Sequence, residues 1–353
     1  MLKHGSMIGI LGGGQLARML AVAASRLGYQ THIYDPNPDS PAIEVATRNT
    51  VADFDNQMAL TSFAQGIDIL TYEFENIPTF SLELISKEIS VFPEITALSI
   101  SQDRIVEKDF LTNLGLKTVK YARVNSFYDY EKAIKKILLP SVLKTCRFGY
   151  DGKGQLIVTK DTTKDSILNL LKHGPCILEG FLDFKKELSV IVARGQSGEI
   201  VSFDPGENIH SNGVLKTTEV PANVPTSIQM DAVIIAGKIV NAIDYVGVMG
   251  VELFLTASNE LLVNEIAPRV HNSGHWTQNG CVIDQFEQHI RAISGCKLGS
   301  GKRHANVKMV NLLGSEIMRS FEEKDAAVHV YGKKKITPGR KMGHINYVKP
   351  KSD

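Results

Sequence analysis

The chain reads as an α/β unit followed by α+β structure, with a parallel sheet first and antiparallel strands after it. Three observations carry this. Strand-like and helix-like stretches alternate through roughly the first hundred residues, as crossovers between parallel strands require. From Pro140 onward the texture changes to paired strands joined by loops. A composition of 43% apolar and 22% charged residues over 353 positions supplies material for several cores, and length alone suggests about two to three domains.

Met7 to Leu11 reads as a short buried strand, Gly12-Gly13-Gly14 as its turn and Gln15 to Leu27 as a helix. Leu16, Met19, Leu20, Ala23 and Leu27 recur at helical spacing, and Gly28 supplies the stop. Gln30 to Tyr34 is a second strand, closed by Asp35-Pro36, and Ile67 to Leu70 is a third, running into Thr71-Tyr72-Glu73-Phe74. Val91-Phe92-Pro93 ends the alternation, and Gln102 to Leu114 predicts one helical connector closed by Gly115. Val142 to Lys144 and Leu156 to Val158 are strands flanking a glycine-rich loop; Ile167 to Leu171 is helical and Cys176 to Leu178 a strand. Leu188 to Ala193 and Ile200 to Phe203 follow as antiparallel strands, then a helix from Met230 to Ile243. Gly250 to Leu255 and Leu261 to Ile266 are strands, a helix lies around Gln285 to Ile293, and a basic tail closes the chain.

Lys and Arg number 39 against 38 Asp and Glu, so the net charge of +1 gives no support to coating a nucleic acid or a membrane surface. No apolar run approaches the roughly 18 residues of a membrane helix. Met7 to Leu11 is too short for a signal core, and a cytoplasmic enzyme is expected. Cys146, Cys176, Cys281 and Cys296 make no CxxC pair, which argues against a zinc knuckle or a disulfide framework.

Gly12-x-Gly14-x-x-Ala17 with Asp35 at the end of the next strand matches a dinucleotide fingerprint, and it raises a nicotinamide-dependent oxidoreductase as the lesser alternative. Nothing downstream supplies a hydride-transfer site, so this turn is expected to serve a substrate phosphate or polar group instead. A second glycine loop runs from Gly149 through Tyr150, Asp151, Gly152, Lys153 and Gly154 to Gln155. Gly149 and Gly154 have Walker spacing, but Gln155-Leu156 stands where Lys-Ser/Thr is needed and a strand follows, so a P-loop is rejected. A hairpin loop remains whose backbone can approach phosphates, with Lys144 and Lys153 to neutralise them.

A hairpin centred between Ser258 and Asn259 sets Glu252 opposite Glu265. Facing like charges destabilise a strand pair. A magnesium ion bridging to phosphates relieves them; the bland rivals are Arg269 as counter-charge or one raised pKa. Asn264 points away in an ideal strand and reaches the same ion only if the strand bends before Pro268.

Together, Gly12 to Leu16, Gly149 to Gln155, Asn264 to Thr277 and Pro338 to His344 resemble the ATP-grasp superfamily, and within it the N5-carboxyaminoimidazole ribonucleotide synthetases, over nearly the whole chain. The resemblance implies a Rossmann-like N-terminal domain (1–103), a small lid domain (104–187), and a large antiparallel-sheet domain (188–353) that ends in a basic substrate-phosphate segment. It implies a homodimer acting on ATP, bicarbonate and 5-aminoimidazole ribonucleotide, with Mg²⁺, in purine synthesis. By resemblance Arg104 and Lys144 contact the ATP phosphates under the 149–155 lid, and Glu179, Gly180, Phe181 and Leu182 form the adenine hinge. Glu187 takes the ribose, His210 lines the pocket, and Glu252 and Glu265, beside Asn264, hold the metal. Gln15, Glu73, Tyr150, Asp151 and Lys153 approach the imidazole nucleotide, and Lys333 and Arg340 grip its phosphate. Arg269, His271, Asn272 and Ser273, with Lys153, complete the reacting site. Lys334 and Lys335 are expected to be solvated, and Trp276 to pack. Ala17 and Lys153 stand where the family often has glycine and arginine. The rivals are a formate-using ATP-grasp ligase, the oxidoreductase, and a non-catalytic nucleotide-binding module.

Overall fold

The computed structural model describes residues 1–149 and 153–351; Tyr150, Asp151 and Gly152 lie outside the described residues. β1 (Met7–Leu11), α1 (Gln15–Arg26), β2 (Gln30–Tyr34), β3 (Arg48–Thr50), α2 (Gln57–Ala64) and β4 (Ile69–Tyr72) give a four-stranded parallel sheet ordered β3-β2-β1-β4. α3 (Thr79–Ile85), α4 (Ile95–Ser101) and α5 (Arg104–Asn113) lead away from it. The helical connector expected from Gln102 to Leu114 is α5, with α4 standing before it. Asp103 begins α5, because its carboxylate accepts from the N–H groups of Ile105 (3.0 Å) and Val106 (3.3 Å).

β5 (Tyr121–Val124), α6 (Phe127–Ile137), β6 (Ser141–Thr145), β7 (Gln155–Val158), α7 (Lys164–Leu171) and β8 (Cys176–Gly180) form a small antiparallel sheet ordered β5-β8-β6-β7. Its core, which includes Val124, Leu143, Val158, Ile167 and Leu178, draws only on its own elements.

β9 (Phe184–Arg194), β10 (Ile200–Ser202), β11 (Gly206–Ser211), β12 (Val214–Val220), α8 (Thr226–Ala242), β13 (Gly247–Thr256), β14 (Leu261–Ala267), α9 (Thr277–Gly280), α10 (Gln285–Ser294), β15 (Ala305–Leu313), β16 (Ala327–Val330) and β17 (Lys341–Pro350) complete the chain. Nine of these are strands of one antiparallel sheet ordered β14-β13-β9-β11-β12-β15-β17-β16, with β10 on β9. The basic tail expected at the C-terminus is thus three sheet strands. Fully buried polar residues (Asn311, His344 and Asn346) interrupt their apolar positions, so the alternation that marks a half-buried strand is hidden. β11 and β12 escape a sequence reading for the same reason: buried Thr218 donates to buried Asn208 at 2.8 Å. Apolar residues of β1, α1, β9, α10 and β15 share one core, which fuses the parallel sheet to the large one.

Candidate active site

The hairpin of β13 and β14 sets Glu252 opposite Glu265, as its spacing predicts, but its centre differs. Nearer the turn Leu253 faces Val263 and Leu255 faces Leu261, which moves the centre to Ser258. An extra residue, Asn264, restores the register as a bulge. That bulge is the bend Asn264 needed: its side chain hydrogen-bonds the Glu252 carboxylate. Burial, and then the facing charge of Glu265, push Glu252 up to about 7. Burial also acts to raise Glu265, but the Arg104 guanidinium, with Lys144 and Lys108 behind it, outweighs this and holds Glu265 below the usual carboxylate range. Among the described residues no group of three His, Cys, Asp or Glu is arranged to hold a metal by itself.

Arg104 opens α5 and donates to Glu265 Oε2 at 3.0 Å and to the Gly149 carbonyl at 3.4 Å, so it joins the root of the glycine loop to the acidic pair. Lys144 on β6 reaches Glu179 Oε2 on β8 at 2.6 Å. Gly154 closes the loop at φ +72°, where a Cβ would stand 2.7 Å from Thr145 Oγ1. Lys153 and Gln155 are exposed beside it; the lid assignments of Tyr150, Asp151 and Gly152 fall outside the described residues. At the end of β8 the chain turns outward: Gly180 N–H donates to Lys120 O (2.8 Å), Phe181 is half exposed and Leu182 is partly covered. Glu179, the first residue assigned to this hinge, is almost fully buried between Lys144 and Lys108. Glu187 on β9 pairs with His210 on β11; although burial opposes it, that contact raises the imidazole pKa.

The first glycine turn is already occupied. Gly13 N–H donates to Asp35 (2.7 Å), and Gly14 and Ala17 N–H donate to Glu73 (2.8 and 3.4 Å). A Cβ at Gly14 would lie 2.5 Å from Glu73 Oε1. Two carboxylates fill the place where a dinucleotide would put its pyrophosphate, so the expected open anion site, and with it the oxidoreductase reading, loses its physical basis. Ala17 is fully buried, its methyl accommodated between helix and sheet. Gln15, the first residue of α1, is half-buried at this turn.

After β14 the chain crosses the cleft. Arg269 meets Glu75 at 2.8 Å, a partner absent from the sequence reading. His271 Nδ1 contacts Ser273 Oγ at 2.8 Å and its Nε2 lies 3.4 Å from Glu252 Oε1. Burial, then the cations Arg269 and Lys341, hold His271 well below its ordinary pKa. Asn272 is buried with neither amide atom partnered, an arrangement that asks for a ligand. Trp276 is packed in the core, as expected. Lys333 donates to the Lys341 carbonyl at 2.7 Å, and Arg340 is exposed on the β16–β17 loop. Lys334, expected to be solvated, pairs with Asp39, although both side chains stay more than half exposed. Sequence reasoning also passed over Glu107 and Lys108, both buried; the spacing Arg104, Glu107, Lys108 on one helix face was the available signal.

Family models match along the chain: a ribonucleotide synthetase preATP-grasp domain over residues 6–102, an ATP-grasp domain over 109–286, and a phosphoribosylaminoimidazole carboxylase C-terminal domain over 308–353. The chain is 45% identical to the N5-carboxyaminoimidazole ribonucleotide synthase of Brucella melitensis, covering 99% of this chain and 98% of that one. It is 43% identical to the Bacillus subtilis protein of the same name, covering 99% and 93%. Among solved structures, N5-carboxyaminoimidazole synthetase from Staphylococcus aureus complexed with ADP is similar with a TM-score of 0.94 at 37% identity, over 99% of this chain and 94% of that one. The Aspergillus clavatus N5-carboxyaminoimidazole synthase in complex with ADP and 5-aminoimidazole ribonucleotide is similar with a TM-score of 0.92 at 31% identity, over 98% and 94%.

Proposed function

The chain belongs to the N5-carboxyaminoimidazole ribonucleotide synthase family of ATP-grasp ligases, and from that premise we propose how its cleft carries out the reaction. The enzyme uses ATP and bicarbonate to carboxylate the exocyclic amine of 5-aminoimidazole ribonucleotide, in purine biosynthesis. Bicarbonate oxygen attacks the γ-phosphorus and ADP leaves. The resulting carboxyphosphate breaks its C–O bond to give CO₂ and phosphate. The amine then bonds to carbon and its proton passes to the phosphate. Such an intermediate hydrolyses rapidly in water, which gives the glycine loop a reason to close.

The observation that carries this reading is the facing pair Glu252 and Glu265, with Asn264 turned to the same side and Arg104 at its edge. Magnesium fits these residues. It takes one or two carboxylates and completes its shell with phosphate and water, and Glu252 and Glu265 facing each other across the strand pair are two like charges that a cation would relieve. When bound, the ion neutralises charge on the phosphates undergoing transfer. Arg104 and Lys144 hold phosphate oxygens beneath the 149–155 loop; Glu179 to Leu182, Glu187 and His210 surround the nucleoside. His271, a neutral imidazole, orients Ser273 beside Asn272 and Arg269, where bicarbonate and the amine meet. Gln15, Glu73, Tyr150, Asp151, Lys153, Lys333 and Arg340 bind the imidazole nucleotide.

We take 1–103, 104–187 and 188–353 as the three domains and a homodimer as the assembly, both from the family likeness. A cytoplasmic location is proposed on the same ground; among the described residues no helix is long and apolar enough to cross a membrane. Phosphate release tests the whole scheme. It is expected only when ATP, Mg²⁺, bicarbonate and the imidazole nucleotide are all present. Release with formate in place of bicarbonate points to the formate-using ligase, and ATP binding without turnover to a non-catalytic module.

A further inference from the structure

Lys108 is only 2% exposed. Burying an ammonium group is costly unless its donors are matched, so its partners identify what it is for. Its Nζ donates to the carbonyl of Asn264 at 2.6 Å, lies 3.5 Å from that of Val263, and reaches Glu179 Oε1 at 3.6 Å. Asn264 is the bulged residue of β14, and β14 is an edge strand. A bulge on an edge leaves backbone groups without a strand partner, and buried backbone groups must find one.

The same helix face supplies two further grips. Arg104, Glu107 and Lys108 stand at i, i+3 and i+4 on α5. Glu107 accepts from the N–H of Ile266 at 2.6 Å, and Arg104 donates to the Glu265 carboxylate at 3.0 Å. Three successive residues of β14 are therefore held from one helix: Asn264 by its carbonyl, Glu265 by its side chain and Ile266 by its N–H.

We propose that Lys108 is a positioning residue of the metal site: it satisfies the carbonyls at the Asn264 bulge and so keeps Asn264 and Glu265 turned to the Glu252 side of the strand pair. The inference rests on the reading of this cleft as a magnesium–nucleotide site. Without the ammonium the bulge loses its partner and the acidic pair loses its shared direction, while Glu179 keeps Lys144, its closer counter-charge at 2.6 Å.

The test is calorimetric binding of ADP to the full chain, once in EDTA and once in excess Mg²⁺, for wild type, Lys108→Met and Lys108→Gln. The quantity read is the factor by which the metal improves ADP affinity. Lys108→Met is expected to lower that factor about tenfold or more, the scale on which outer partners act on a metal site, and to leave the EDTA affinity unchanged. Lys108→Gln, whose amide can still donate to one carbonyl, should keep more of the factor. An unchanged factor overturns the proposal. So does an equal loss with and without metal, which would assign Lys108 to Glu179 and the hinge. Loss of the thermal unfolding transition in both variants overturns it as well, by making the lysine a tie of the whole sheet. A wild type that binds ADP no better with metal sinks the underlying reading of the cleft, whatever the variants do.

Discussion

Glu252 and Glu265 face each other across one strand pair, yet their acidities are displaced in opposite directions. The difference lies in their neighbours. Both are buried, but Glu265 has Arg104 at 3.0 Å, whereas Glu252 meets the facing charge of Glu265 with only His210 and the Asn264 amide to offset it. Glu265 is therefore the permanent anion of the pair, and Glu252 becomes fully anionic once a cation arrives. Removing the permanent anion should be the more damaging change. Glu265→Ala is expected to lower kcat at saturating substrates on the order of 10²–10³, the scale of losing one preorganised charge, and to leave Arg104 unpaired. Steady-state phosphate release measures it; near-normal kcat would take Glu265 out of the mechanism. The facing of these two acids was legible from sequence, because it follows from hairpin pairing. The bulge that turns Asn264 was not: a one-residue register shift depends on Lys108 and Glu107, which lie more than 150 positions away in the chain.

His289 does the joining work among the elements. It sits on α10, donates through Nε2 to Thr71 Oγ1 on β4 (2.8 Å), and accepts at Nδ1 from Val248 N–H on β13 (3.1 Å). One imidazole thus bonds the parallel sheet, the large sheet and the helix between them, and the bond accepted from Val248 requires it neutral. Burial depresses its pKa from 6.5 to about 3. As pH falls the unfolded chain takes up this proton first, so the contribution is complete above about pH 6.5 and is lost progressively toward pH 3. The urea midpoint of the wild type should fall across that window. In His289→Gln, whose amide oxygen can still accept from Val248, the fall should be shallower by on the order of a few kcal/mol in total. An identical pH slope would remove His289 from the acid response. Elements such as α1, α7 and α10 could be read in advance because their apolar spacing and caps are local. β11, β12 and β15 to β17 could not, because buried polar residues interrupt their apolar positions and find partners far along the chain: Asn311 donates to the Leu215 carbonyl and Asn346 to the His275 carbonyl.

At the scale of the molecule the cores divide the chain unequally. Ile8, Ile10 and Leu20 share one core with Ile191, Val248, Ile290 and Met309, so the N-terminal sheet and the large sheet have no apolar surface at which to separate cheaply. The small sheet closes on Val124, Leu143, Val158 and Leu178, and meets the rest largely through polar ties: Lys108 on Glu179, Arg147 on Gln102, and Arg104 on the Gly149 carbonyl. Apart from the small cluster of Ile105, Cys146 and Ile177, little apolar area opposes its release. Local stability follows buried apolar contact, so this unit is the one able to open while the remainder stays folded. That asymmetry suits an enzyme that must admit three substrates and then exclude water. Hydrogen exchange followed by mass spectrometry should find amides of residues 121–180 exchanging well before those of β1, β9, β13 and β15. Addition of ADP with Mg²⁺ should slow the 121–180 segment selectively, because the nucleotide would bridge Lys144 on the small sheet to Glu265 on the large one. Exchange at one rate throughout, or nucleotide protection confined to the large sheet, would contradict a hinged small unit and leave the glycine loop without the motion that closure needs.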